Sequence, residues 1–445
     1  MTNQFPGPLS KAMLDELGQY VVAEPFPFVV DLKESQGMWL ATVDGQKLFD
    51  WAGYYASKLL GHNHPKLYQP EYLEHLSRAA NNKVANPDFL TRECLDYYRE
   101  LHQHAPACMQ GGRLEVYAVN SGAEAIENMM KYFINLYLHR HPEQESRTAA
   151  RKFIYFDQAF HGRTVFALNV TTLDHDPVIT RDFVGFDHGN IRAPFPAVDN
   201  SQGGDWNQAR ARESLAFIED ILKRDAINVV GIILEPLQGA GGHRVAVKEF
   251  YQRLSELAHR YQVSLGFDEV QTAGGQTGAF FAADLFDLPY PPQGIACAKK
   301  LACGAVYMLW PMEDHGVLDS TWGGTLADMV RFCQEMKIVR EERLIEQVPE
   351  KSAQLVACLE SLARAYPNLM YNIRGLGLYQ GWSMRSAALK SRLQKLALND
   401  ESLLLLGAGP ETIRLRPVLD VTLLDIDLLQ EKLGRLLKRL QEEPE

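Results

Sequence analysis

Five short segments of this 445-residue chain gather side chains able to do chemistry, and each follows an apolar run. Asn120-Ser121-Gly122-Ala123-Glu124-Ala125 is a small-residue turn entering a helical pattern, where free N–H groups and the positive end of the helix dipole favour a phosphate. Phe160-His161-Gly162-Arg163 offers an aromatic face, a ring that hydrogen-bonds, and a guanidinium suited to bidentate carboxylate recognition. Glu235-Pro236-Leu237-Gln238-Gly239 and Asp268-Glu269-Val270-Gln271 each open on a carboxylate. A carboxylate at a strand end can hold a cationic ring nitrogen, because an opposite charge in reach shifts a pKa by about 1 to 3 units. Lys299-Lys300 precede the small residues Ala302, Cys303 and Gly304. A lysine desolvated beside a phosphate and a pyridinium becomes an amine nucleophile. Singly, these features have ordinary explanations: a tight connection, a buried aromatic beside a surface ion pair, a helix cap or turn at Asp268, a solvated lysine.

The elements that would position the segments alternate. LEVYAV (114–119) reads as a strand, and Ala125, Ile126, Met129, Met130, Phe133 and Tyr137 then fall at helical spacing. KFIYF (152–156) is a strand, Ala209 to Asp225 an amphipathic stretch, Asn228 to Leu234 a continuous apolar strand, Val247 to Tyr261 amphipathic, and Val263 to Phe267 a strand, with GIACA (294–298) before the lysines. Strand and helix in alternation predict an α/β fold with a mainly parallel sheet covered on both faces. In such sheets ligands collect beyond the carboxyl ends of the strands, where all five segments stand. A phosphate cradle, an aromatic platform, an acidic partner for a ring nitrogen and a lysine, in that order, match what pyridoxal 5'-phosphate (PLP) requires of its protein.

The last hundred residues differ, with amphipathic stretches from Lys337 to Ala365 and Leu424 to Leu440 and strand candidates around Gly377 to Met384 and Thr412 to Leu415. They predict a second, smaller domain. Leu429, Leu433, Leu436 and Leu440 read as the core face of a helix, the run being too short for a coiled-coil seam. Pro194 to Asp205, Pro289 to Gln293 and Pro410 mark loops, and there is no solenoid repeat or low-complexity tract.

A net charge of −11 argues against a nucleic-acid or anionic-membrane surface, and 46% hydrophobic with 23% charged residues is an ordinary globular balance. Six cysteines without a C-x-x-C pair predict neither a disulfide framework nor a structural metal, and suit a reducing cytoplasm. The opening MTNQFPGPLSK has no basic-then-apolar leader pattern, and no apolar run approaches the ~20 residues that span a bilayer.

NSGAEAIENMMK, FHGRT, LEPLQG, GFDEVQTAGGQTGAFF, AKKLACG, STWGGTLADMVR, RGLGL and TIRLRP together resemble, in order and spacing, the class III (ω-amino) aminotransferases, PLP enzymes of fold type I. The resemblance runs from about Val30 to Leu440. WAGYYASKLLGHNHP, NNKVANPDFLT, FHGR, DEVQT and TWGG are most similar to the lysine 6-aminotransferases. It implies a large domain (66–325) with a mainly parallel seven-stranded sheet, and a smaller α/β domain (326–445) to which residues 1–65 contribute. It also implies a homodimer with shared active sites. Lys299 would bind PLP covalently and serve as acid and base, with Lys300 the alternative. Asp268 would keep the pyridine nitrogen protonated, Phe160 and Val270 would sandwich the ring, and Gln271 would hydrogen-bond its phenolic oxygen. Ser121, Gly122 and Ala123 would face the phosphate, completed by Thr321 of a neighbouring subunit, with His161 and Glu235 also beside the cofactor. Arg163 and Tyr55 would meet a lysine-like donor, and Arg414, in competition with Arg416, a carboxylate of a keto acid such as 2-oxoglutarate.

Three departures stand out. Ala240 occupies the place of a glutamate that, in gated members, neutralises the acceptor arginine, so either another group replaces that gate or the donor brings its own carboxylate. Thr325 stands where an asparagine is usual, and Pro-Pro-Gln-Gly (291–294) lacks an acidic residue common before the lysine strand. Aminomutases and epimerases share the fold and are the alternative reading. Gly375-Leu376-Gly377 is a near dinucleotide fingerprint in the wrong context, following a helix and leading into a strand.

Overall fold

The computed structural model describes residues 5–82, 85–144, 151–183, 189–312, 314 and 316–443. Residues 1–4 of the opening stretch and 83–84 of NNKVANPDFLT lie outside the described residues. In chain order the strands are β1 (Val30–Gln36), β2 (Trp39–Thr42), β3 (Lys47–Asp50), β4 (Glu115–Val119), β5 (Lys152–Phe156), β6 (Ile191–Ala193), β7 (Val229–Leu234), β8 (Ser264–Asp268), β9 (Gly294–Cys297), β10 (Gly304–Met308), β11 (Met370–Leu376), β12 (Tyr379–Met384), β13 (Leu403–Leu404), β14 (Leu406–Ala408) and β15 (Thr412–Arg414).

The continuous apolar runs form the middle of a seven-stranded sheet of order β4-β10-β9-β8-β7-β5-β6, in which only β10 runs against its neighbours. Every residue of β7, β8 and β9 is buried, which is why these segments lack the alternation of a half-exposed strand. The helix Gly122–Arg140 is seated on this sheet by glycines. A Cβ on Gly231 of β7 would lie 2.6 Å from the Phe133 ring, and one on Gly266 of β8 2.7 Å from that ring and 2.8 Å from Met129 Sδ. Gly294 of β9 would likewise meet Met129 Cγ at 3.0 Å. These three missing side chains leave the hollow that Met129 and Phe133 fill, and so fix where the amino end of the helix points.

Two four-stranded sheets flank this body: β1-β2-β3-β13, where β13 pairs with β3 in parallel, and the antiparallel β11-β12-β15-β14. The chain's beginning and end therefore share a sheet, with Phe49 opposite Leu403. Helix Leu423–Glu442 buries Leu429, Leu433, Leu436 and Leu440 in the core, and a Thr422–Asp425 capping box starts it. The stretch from Lys337 to Ala365 is two helices, Leu326–Glu341 and Val348–Ala365, not one. Pro349 explains the break, since its ring would clash with a preceding turn and it suits only a helix start. Gly375-Leu376-Gly377 does not follow a helix, as the sequence pattern indicated; it ends β11 and turns into β12. A Cβ on Gly375 would lie 2.0 Å from the Tyr379 carbonyl oxygen, so this glycine answers to hairpin geometry. All six cysteines are free thiols. Among the described residues, no helix is long and apolar enough to cross a membrane, and no cluster of His, Cys, Asp or Glu could hold a metal ion.

Candidate active site

The carboxyl ends of β4, β5, β7, β8 and β9 bring the five segments to one edge of the central sheet. After β4, Ser121 caps the helix by accepting a hydrogen bond from the Glu124 N–H at 3.2 Å. The amides of Gly122 and Ala123 in that first turn have no intrahelical acceptor. A Cβ on Gly122 would sit 2.8 Å from Val270 Cγ1, and one on Gly162 2.8 Å from Ala123 Cβ, so the phosphate-type turn, the Phe-His-Gly-Arg segment and Val270 meet at van der Waals range. Asn120 donates to Ser320 Oγ at 3.1 Å and accepts from the Gly324 N–H at 3.1 Å, tying down the segment on which Thr321 is exposed. Thr325 begins the following helix and hydrogen-bonds Asp328 within its first turn.

After β5, the Phe160 N–H donates to Glu235 Oε1 at 2.9 Å, and His161 Nδ1 lies 2.7 Å from Asp268 Oδ2, both side chains buried. Burial alone would lower the His161 pKa, but the Asp268 hydrogen bond and charge, with Glu235 behind them, raise it. His161 Nε2 is buried without a partner. Asp268 also accepts from the Val270 N–H at 3.0 Å, so it is both turn former and buried charge. Glu235 spans Phe160 and Gly239 through their amides, and burial, augmented by the Asp268 charge, pushes its carboxyl up. Arg163 is exposed, its guanidinium 5.3 Å from the centre of the Phe160 ring.

The adjacent lysines diverge because β9 ends in a single 3₁₀ turn in which Lys299 adopts φ +55°. Lys300 is buried, with Nζ 2.6 Å from the Gln271 carbonyl oxygen, 3.1 Å from that of Ala56 and 3.0 Å from Tyr379 Oη. Its hydrogen-bonding capacity is used inside the fold. Lys299 is half-buried and makes no side-chain hydrogen bond to a described residue. A cavity of about 490 Å³ reaches both lysines and is walled elsewhere by Tyr54, Lys58, Arg331 and Glu335. Burial, reinforced by the Arg414 and Arg416 charges against Asp268 and Glu235, lowers the Lys299 amine to about 8. The apoprotein should therefore capture PLP faster as pH rises, by about tenfold per unit below pH 8 and little above, as the free-base fraction of Lys299 saturates. Rapid-mixing absorbance checks this, and a pH-independent rate would assign the attack to another group.

Arg414, at the end of β15, is buried, and its Nε has no hydrogen-bond partner. Burial lowers its pKa to about 10, partly offset by Tyr55 and Glu235. Arg416 is held instead by Gln271, His243 and the Leu415 carbonyl. Tyr55 is exposed on a left-handed run, Gly53 to Ala56, and lines an apolar cavity of about 360 Å³ with Phe26, Phe28, Leu40, Leu404 and Leu406. The Ala240 carbonyl accepts from the Gly409 N–H at 3.2 Å. The sequence reading missed His243, whose signal was its place after the Gly241-Gly242 pair, and Arg374, which is buried and bonded to the carbonyls of His243, Asn372 and Gly242.

These features suit PLP. The uncapped amides of Gly122 and Ala123 match a phosphate, the His161–Asp268 pair a protonated pyridine nitrogen, the unengaged Lys299 amine a carbonyl, and the partnerless Arg414 Nε a substrate carboxylate. The family model for class III aminotransferases matches residues 20–437. The L-lysine-epsilon aminotransferase of Mycobacterium tuberculosis is 30% identical over 425 residues, covering 92% of each chain. The 4-aminobutyrate aminotransferase of Kluyveromyces lactis is 28% identical, covering 98% of this chain and 96% of its own length. The solved structure of the lysine aminotransferase from M. tuberculosis superposes with a TM-score of 0.90 at 27% identity, covering 97% of this chain and 99% of that one.

Proposed function

The chain belongs to the class III aminotransferases, which depend on PLP, and from that premise we propose that it moves a terminal amino group, that of the L-lysine ε-amine in the first instance, to a keto acid such as 2-oxoglutarate. The observation that carries this reading is the convergence of a lysine amine without a described hydrogen-bond partner and a buried His161–Asp268 pair at the carboxyl edge of the central sheet with the buried Arg414 of β15, whose Nε has no partner. The family match favours transfer over mutation or epimerisation, and Arg414 offers a buried guanidinium for the keto acid's carboxylate.

Bound PLP supplies the electron sink for the charge left when a proton departs from the amine-bearing carbon. The residues divide the remaining work. Lys299 Nζ anchors the cofactor, is displaced by the incoming amine, and then moves the proton from the donor carbon. Asp268 holds the proton on the ring nitrogen, and His161 at 2.7 Å orients that carboxylate. Phe160 and Val270 confine the ring, while Ser121, Gly122 and Ala123 hold the phosphate, completed by Thr321 of a second copy in a homodimer. Arg163 takes the carboxylate of the donor beside Tyr55, and Arg414 that of the acceptor. Donor and acceptor bind in turn, so the kinetics are ping-pong.

The test is the visible absorbance of the PLP-loaded protein before and after L-lysine, with 2-oxoglutarate added last. Bleaching by lysine and recovery on adding the keto acid are expected. Bleaching by 4-aminobutyrate but not lysine would replace the donor, and recovery without a keto acid would make the enzyme a mutase. A band unmoved by any amine would overturn the reading. In the same assay Arg163→Ala should raise the KM of a carboxylate-bearing donor by about tenfold or more, the scale of one charged hydrogen bond.

A further inference from the structure

The two arginines of β15 and its extension have opposite surroundings. Arg414 keeps a buried Nε without a partner, whereas every nitrogen of Arg416 is engaged. Arg416 is 1% exposed; its Nε and Nη2 each lie 3.3 Å from Gln271 Oε1, and its Nη1 lies 2.8 Å from the Leu415 carbonyl oxygen and 3.0 Å from His243 Nδ1. The guanidinium also rests 4.6 Å from the centre of the Tyr379 ring.

A guanidinium only donates, so the atom of the Gln271 amide that faces it must be the oxygen. The amide nitrogen is thereby turned to the other side, where no described residue accepts from it. His243 is set up to accept from Arg416. It is fully buried, and burial with the charges of Arg416, Arg374 and Arg414 drives its pKa well below the ordinary value, leaving a neutral ring. Its Nε2 lies 3.2 Å from the Tyr379 carbonyl oxygen, which places the ring proton there and the lone pair on Nδ1, toward Arg416. Gly239 makes room for the arrangement, since a Cβ there would sit 2.1 Å from Gln271 Oε1. Arg416 thus donates in two directions, to the Gln271 amide oxygen on one side and to His243 on the other, whose own N–H passes on to the Tyr379 carbonyl, so the four residues form one line that diverges from the guanidinium.

We propose that Arg416 is a positioning residue, not a substrate ligand: with His243 behind it, it fixes the Gln271 amide so that the N–H of that amide is aimed at an acidic oxygen of bound PLP. This rests on the PLP-aminotransferase reading above. The line supplies both an aimed donor and a positive charge behind it, and both favour the deprotonated form of the oxygen they face.

The experiment is a pH titration of the visible band of the PLP-loaded protein, which needs no substrate, together with the KM for 2-oxoglutarate. Arg416→Met should move the band midpoint upward by about one unit, a tenfold change in the proton equilibrium, with KM altered less than about threefold. Gln271→Met should give the same shift, and the double variant no further one, because both substitutions break the same line. Arg416→Lys, which keeps charge and one donor, should fall between. If Arg416→Met does not fold, the lysine and glutamine variants decide. An unmoved midpoint with KM raised tenfold would make Arg416 a substrate ligand, and additive shifts would separate it from Gln271; either overturns the proposal. Failure of the aminotransferase reading would show differently, as a wild-type band that no amine alters.

Discussion

Lys299→Ala should remove the visible band of the PLP-loaded protein and lower turnover by at least about 10⁴-fold, the upper end of what acid–base transfer alone contributes, because in the proposed function this one amine is both anchor and proton carrier. Its neighbour should behave otherwise. The Lys300 amine is enclosed by the Gln271 and Ala56 carbonyls and the Tyr379 hydroxyl, so Lys300→Met strands polar groups of the interior and should cost about 1–3 kcal/mol of stability while the visible band persists. Absorbance, turnover and thermal unfolding of the two variants settle the assignment. If Lys300→Met lost the band and Lys299→Ala kept it, the two roles would exchange.

Asp268→Asn should lower turnover by about 10²–10³-fold, the scale of losing one preorganised electrostatic contact at about 2.7–4 kcal/mol. The substitution is conservative where structure is concerned, since an asparagine Oδ1 still accepts from the Val270 N–H, the bond that shapes the turn after β8. It removes the charge that supports His161 at 2.7 Å and, in the proposed function, the proton on the cofactor ring. PLP binding and folding should survive with chemistry impaired, which rapid-mixing bleaching by the donor separates from steady-state turnover. A fold-change below about ten would reduce Asp268 to a turn former.

The contrast between these two variants shows where the sequence is legible. β7, β8 and β9 are readable because strands buried on both faces must be continuous apolar runs, and the residue after each run is at a sheet edge wherever the sheet lies. Asp268 and Glu235 are visible for that reason. Lys299 and Lys300 are not separable from their types or spacing; a backbone dihedral at Lys299 sends one amine to the cleft and the other into the interior. The line from Tyr379 to Gln271 is invisible for a further reason, as it joins four segments with no mutual periodicity. The break at Pro349 carried a local signal, the proline itself, that the amphipathic pattern across it obscured. β1, four of whose seven residues are exposed, and β2 and β3, of four residues each, offer no continuous apolar run to announce a strand.

The pairing of Phe49 with Leu403 has a consequence for how the chain comes to be. Strands β1 to β3 leave the ribosome before the central sheet, yet the strand that closes their sheet is made after it. Until Leu403 and Leu404 emerge, β3 presents an unpaired edge, while the intervening central sheet can assemble from neighbours closer in sequence. Contact across nearly the whole chain makes this closure a late and slow step. A nascent chain stalled before β13 would carry a formed central sheet and an open amino-terminal edge, the kind of surface that chaperones hold and that misassembles when they are scarce.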